Sequence, residues 1–202
     1  MIYLYDKAIV NDLRNSFNPK NVPDPVVKII DPEGAVSLAA QIQNDEIKFP
    51  VVALFRDLNT PISDTMNFTR KHFGVDAAFD KENNIIYQER AIPIDLRYDI
   101  TVLTTNLVDR DEIMRELMFK YSHMYFLTIQ LPYECDRKIR FGIALNDDNA
   151  IESKSGTFEN IQSGTLYQTI LHLHCDGCVL VSYRKKLLER MAGELQIDDK
   201  HI

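Results

Sequence analysis

The sequence predicts an α+β fold: a mixed, mostly antiparallel sheet packed against helices, in a single domain spanning residues 1–202 with a long insertion arm. Three observations carry that expectation. Apolar residues recur at helical spacing in a few separate segments. Alternating, β-branched-rich runs recur between them. The elements follow the order α-β-α-β, a long insertion, then β-β-α-β-β-β-β-α, which is not the regular β-α alternation of a parallel sheet. A chain of 202 residues can bury one good core.

Residues 6–17 read as the first helix, with Ile9, Val10, Leu13 and Phe17 on one stripe and Asp6 as its N-cap. The prolines at 19, 23 and 25 end it. Val26 to Ile30 is a β-branched strand. A helix is expected next, with Asp31 as cap, Pro32 in the first turn and Val36, Ala39 and Ala40 as a narrow apolar face. Residues 49–55 form a buried strand with Pro50 at its start.

Residues 59–84 lack a clean period, although Phe68, Phe73 and Phe79 stand among them. A connection of that length is too long for an idle loop. It is expected to be an excursion or arm, with a short helix near 63–73, whose aromatics cover its own domain or a neighbour. From Ile92 to Val102 apolar and polar residues alternate strictly, which predicts one long strand with a wet face and with Pro93 at an edge or bulge.

Asp109 with Glu112 approximates a capping box, and Ile113, Met114, Leu117, Met118 and Tyr121 form the buried face of the helix that follows. Strands are expected at 126–131 and 139–145, a polar loop at 146–164, and further strands at 166–173 and 179–181. Leu187, Leu188, Met191 and Leu195 outline a terminal helix before a frayed tail at 196–202.

The net charge is −7, from 23 basic and 30 acidic residues. Sequence-independent nucleic-acid binding draws on a basic surplus, so a free-standing DNA binder is not expected. No apolar run approaches the ~20 residues of a membrane span, and the N-terminus lacks the basic and apolar regions of an export signal. Cys135, Cys175 and Cys178 read as reduced thiols of a cytosolic protein.

Four clusters could carry chemistry. His172, His174, Cys175 and Cys178 offer four zinc-ligand types in seven residues, but on a strand the two histidines face away from Cys175. The alternative is two histidines on a wet face, then an Asp-Gly hairpin turn flanked by buried thiols. Cys175 and Cys178 as a redox pair would want a helix start, and strand residues flank them. Pro23-Asp24 with Glu46-Ile47-Lys48 imitates a metal-dependent nuclease arrangement, although the stretch between looks helical. Asp95, Arg97 and Asp99 share a strand face at period two, either as a solvated row or as a charged strip meeting a partner subunit. Phosphate-loop, dinucleotide, zincin and hydrolase-elbow motifs are missing, so no cofactor or metal and no enzymatic role is expected.

The stretch Arg90-Ala91-Ile92-Pro93-Ile94-Asp95-Leu96-Arg97-Tyr98-Asp99-Ile100-Thr101-Val102, followed by the helix from Asp109 to Tyr121, resembles tail-terminator and neck (tail-completion) proteins of contractile-tailed bacteriophages. In these a "PI-x-L-x-Y-x-I" strand leads into a helix with a face like that from Glu112 to Met118. The likeness continues through 127–132, 139–145 and 166–173 and covers roughly residues 85–182. It rests on packing patterns and includes neither the 59–84 insertion nor the cysteine turn.

The resemblance implies a virion structural protein. It would form a homo-oligomeric ring, typically a hexamer, that caps the tail tube and sheath and joins them to the head. Partners would be tail tube, sheath and neck or connector proteins, with DNA at most passing through the lumen and no membrane involved. The place would be the virion, reached from the host cytoplasm. Head-completion and baseplate adaptors are the nearest alternatives, and a nuclease a more distant one. The arm at 59–84, the loop at 146–164 and the residues Asp95, Arg97, Asp99, Phe68 and Phe73 are the expected subunit contacts.

Overall fold

The computed structural model describes residues 1–16, 26–29, 49–63, 73–80, 85–132, 138–146, 150–156 and 166–187. The elements are α1 (Tyr3–Ser16), β1 (Val26–Ile29), β2 (Val51–Arg56), β3 (Phe73–Asp80), β4 (Ile85–Pro93), β5 (Leu96–Thr104), α2 (Leu107–Tyr121), β6 (Tyr125–Gln130), β7 (Lys138–Leu145), β8 (Ile151–Gly156), β9 (Leu166–Asp176) and β10 (Val179–Leu187). The α+β class is as expected. One sheet runs β1-β2-β5-β9-β7-β6, with β8 also on β9; β1–β2 is its parallel pair and the others are antiparallel. A second sheet, β10-β4-β3, is wholly antiparallel.

The alternating run from Ile92 to Val102 is not one strand. The chain leaves the small sheet at Pro93 and enters the large one at Leu96. Its partner makes the same change between Asp176 and Val179. Leu96 pairs with Cys175 in the large sheet and Pro93 with Val179 in the small one, so a single two-stranded ribbon threads both sheets. Asp176-Gly177 is therefore not a hairpin turn: β9 and β10 pair with different strands. Gly177 has φ 79°, a left-handed conformation that glycine adopts without Cβ strain.

At the crossing the Ile94 N–H donates to the Cys178 carbonyl at 3.0 Å, tying the two links together. Residues 61–63 run alongside. The Ser63 N–H donates to the Pro93 carbonyl and the Asp95 N–H to the Pro61 carbonyl, both at 3.1 Å. The two linking residues preserve the alternation, so periodicity alone cannot see the break. Ile92 shows it: it is 47% exposed, whereas Ile94, Leu96 and Tyr98 are buried.

Other boundaries move for local reasons. α1 begins at Tyr3, and Tyr5, Ile9 and Leu13 at i, i+4, i+8 form its buried stripe. Asp6 is thus a first-turn residue, not the cap. The N-cap of α2 is Asn106, whose Oδ1 accepts the Val108 N–H at 3.0 Å, rather than Asp109. Met118 lies on the exposed side of α2 while Ile113, Met114, Leu117 and Tyr121 are buried. The expected polar loop after Asn146 contains β8, and the 59–84 segment contains β3. β10 continues to Leu187, where the terminal helix was expected to begin. The rest of that helix, the tail at 196–202, the expected helix after Asp31 and Phe17 lie outside the described residues, as does most of the expected short helix at 63–73.

One face of the large sheet carries the core. Val52, Leu54, Leu96, Tyr98, Ile100, Val102, Phe141, Ile143, Leu171, Leu173 and Cys175 meet the apolar stripes of both helices. α1 lies against both edge strands, β1 and β6, so the sheet curls around it. A smaller cluster, Val51, Ala53, Leu103 and Leu166, lies on the other face.

Three polar ties fix α1. The buried Tyr5 hydroxyl donates to the Val179 carbonyl and accepts the Val179 N–H, each at 2.9 Å, which pins the helix to the first residue of β10. Asp6 accepts from the Tyr98 hydroxyl at 2.8 Å and pairs with Arg56 at 2.5 Å. Asp12 accepts from the Tyr121 hydroxyl at 3.0 Å and pairs with Lys120 at 2.7 Å. A charge this deeply placed is tolerable because each carboxylate has both a cation and a hydroxyl donor. Burial, and then the neighbouring Asp6 or Asp12 charge, holds the Tyr98 and Tyr121 phenols well above the ordinary tyrosine range.

Candidate functional site

Alternation along β5 directs Leu96, Tyr98, Ile100 and Val102 into the core, so Arg97 and Asp99 stand on the face without helices. Pairing with β9 sets Arg97 opposite His174 and Asp99 opposite His172. There His172 Nδ1 is 2.7 Å from Asp99 Oδ1, and its Nε2 is 4.0 Å from Glu152 Oε2 of β8. His174 Nε2 is 3.9 Å from Asp176 Oδ2. The result is a polar strip across β5, β9 and β8 in which imidazoles stand beside carboxylates and the Arg97 guanidinium. Glu152 was not legible in the sequence, because β8 has no apolar alternation to announce it.

Asp95 does not belong to the strand row. It lies in the two-residue crossing before β5, half-buried, with its N–H on Pro61. Phe73 is the first residue of β3, and Phe68 lies outside the described residues. The strip thus brings together Arg97 and Asp99 of the five expected contact residues.

The His/Cys cluster is split between the two faces. His172 and His174 are part-exposed on the helix-free face, whereas Cys175 and Cys178 are buried in the core beside Tyr5. A hydrogen bond donated by the Cys175 thiol to the Cys178 side chain, reinforced by burial, raises the Cys175 thiol well above its usual range and keeps it protonated and unreactive. Among the described residues no group of three or more His, Cys, Asp or Glu side chains could hold a metal ion. The nuclease-like Asp24, Glu46 and Lys48, and Cys135, lie outside the described residues.

Chemically the strip offers a histidine held by one carboxylate and approached by a second. Asp99 and Glu152 are each about half exposed, so water screens them. Such a strip suits steering and registering a partner surface.

The outer side of α2 carries exposed apolar side chains among the charged Asp111, Arg115 and Glu116. Phe119 is 78% exposed and Met118 41%, and together with Met114, Leu145, Asp111 and Arg115 they line an open groove of about 530 Å³. Leu107 and Val108 extend exposed apolar surface to the first turn of α2. On the helix-free face Met124 lies across Gly142, where a Cβ would collide with its sulfur, and Arg140 stacks on exposed Phe126 at 4.1 Å. Surface of this kind marks contact with other molecules more often than with water. No protein-family model matches the chain, and no curated protein matches it.

Proposed function

We propose that the chain is a non-catalytic virion subunit that assembles with copies of itself into a ring, of the type that terminates a contractile phage tail and joins it to the head. The observation that supports this reading most is the ribbon formed by β4–β5 and β9–β10. Its inner half is the centre of a core-bearing sheet. Its outer half is a nine-residue ladder between β4 and β10, part of a second sheet whose substantial backbone contacts, among the described elements, are with its own strands. At ~3.3 Å per residue each nine-residue strand reaches about 30 Å. Such a sheet repays its ordering poorly in an isolated molecule and well when a neighbour covers it. The exposed Phe119, Met118 and Val108 and the charged strip add surface of the kind that assembly covers.

Negative-stain imaging of the purified chain, alone and mixed with tail tubes, tests the reading. The expected outcome is rings in isolation and a single ring at the head-proximal end of each tube. Density at the opposite end would make the chain a baseplate adaptor. Single particles with no tube binding would refute the reading.

The segment 59–84 keeps its proposed part in subunit contacts with a sharper content, because β3 lies within it. Its removal uncovers one side of β4. The expected product is a folded monomer that forms no rings.

A further inference from the structure

The small sheet has two outer strands, β10 and β3, on either side of β4. Both are antiparallel to β4, so they run in the same direction. Their compositions are opposite in sign. β10 contains Arg184, Lys185 and Lys186 and no acid, and β3 contains Asp76 and Asp80 and no base. The backbone register sets these residues level. Gln88 of β4 pairs with Arg184 on one side and Asp76 on the other, while Ile86 pairs with Lys186 and the adjacent Ile85 with Asp80.

Among the described residues, the N-terminal segment contacts the start of the outer edge of β10. The Val179 N–H goes to the Tyr5 hydroxyl and the Val181 N–H to Met1 Sδ at 3.1 Å. Odd-numbered residues therefore turn their backbone groups outward, and the even-numbered ones bond to β4. The next outward groups along the strand belong to Tyr183, Lys185 and Leu187.

We infer that residues 183–187 of β10 in one copy pair in parallel with β3 of the next copy, joining the small sheets into one continuous sheet around a ring. The inference rests on the ring reading and specifies its interface. Copies related by rotation about one axis present the same sheet face at the same height, so β3 and the neighbouring β10 meet in the same direction. Asp76 then comes level with Arg184 of the neighbour, and strands of opposite charge lie side by side. A twofold contact would instead set β10 against β10 and bring two positively charged strands together. The head-to-tail arrangement uses both edges in every copy, so the closed ring leaves no edge of the small sheet open.

Two sets of variants test the pairing in the full-length chain, read by light scattering over a concentration series with circular dichroism and thermal melts. Lys185→Pro removes an outward N–H and leaves the β4 ladder its even-numbered donors, a position at which an edge strand tolerates proline. It is expected to keep the parent's melting temperature and lose the ring. Asp76→Arg and Arg184→Asp are each expected to raise the concentration for half-assembly several-fold, and the double variant to return it to within about twofold of the parent. Rings of Lys185→Pro at the parent's concentration, or a double variant no better than the singles, overturn the pairing. If Lys185→Pro unfolds, the charge-reversal pair decides alone. A parent that stays monomeric throughout refutes the ring reading itself, whereas a parent ring indifferent to every variant refutes only this interface.

Discussion

Replacing Tyr5 by Phe isolates the contact that holds α1 to the ribbon crossing. The ring stays: it is fully buried and packs edge-on against Phe141 at 4.9 Å, a contact that phenylalanine preserves. Only the hydroxyl goes, and with it both hydrogen bonds to Val179. Val179 is itself buried, so its N–H and carbonyl lose their partner without gaining water. A buried polar group left unsatisfied costs ~1–3 kcal/mol, and the two groups share one small cavity, so the substitution should cost about 2–4 kcal/mol. For a chain of this size that corresponds to a fall in Tm of about 4–16 °C. Urea unfolding followed by circular dichroism measures it, with the midpoint lowered and the slope unchanged. A loss below about 0.5 kcal/mol would show that the hydroxyl does not hold the crossing.

Asp12→Ala removes the acceptor shared by Lys120, Tyr121 and Tyr125 and leaves a part-buried ammonium behind. A loss of about 3 kcal/mol is expected in the same urea assay, and Asp12→Asn should recover part of it. Alkaline pH offers a second handle. Tyr5, Tyr98 and Tyr121 have phenols raised above the ordinary value, so the unfolded chain releases their protons first. Stability should therefore be fully present below about pH 10 and fall above it by ~1.4 kcal/mol per pH unit for each tyrosine. Melts between pH 8 and pH 11 would show this, and Tyr98→Phe should flatten the fall. Phe119→Ser removes an exposed ring and should change stability by less than about 0.5 kcal/mol. A large loss on melting would mean that the residue is covered within the monomer.

Much of the fold is legible because local patterns decide it. The buried face of α2, the strands at 51–56, 125–130 and 138–145, and the mixed sheet all follow from spacing that tertiary contacts reinforce. Where reading fails, the physical cause is specific. The crossing at Ile94 and Asp95 keeps alternation in phase, so one strand in the sequence is two in space. β8 pairs with β9 along the length of the edge that β7 leaves free, and its Ile151-Glu152-Ser153 run is exposed, so no apolar face announces it. β3 does carry a period-two signal in Phe73, Val75, Ala77 and Phe79, but two register shifts and its setting among polar residues hide it.

The candidate site is less legible than the fold. Arg97 and Asp99 are visible on a wet face, and His172 and His174 also, but only pairing shows that these two sets share one strip with Glu152. The polar ties of α1 are invisible for the same reason. Asp6 and Asp12 find their partners 50 to 113 residues away in sequence. Exposed Phe119 and Met118 sit in a helix whose apolar positions look like more core, and only packing shows which stripe is left outside.

The mass of the parent chain in solution, followed by native mass spectrometry over a concentration series, bears on the central claim most directly. A ring-forming subunit gives one closed species at a fixed multiple of 23.4 kDa, near six copies for a hexamer, with no ladder of larger aggregates. A single 23.4 kDa species at every concentration would contradict it.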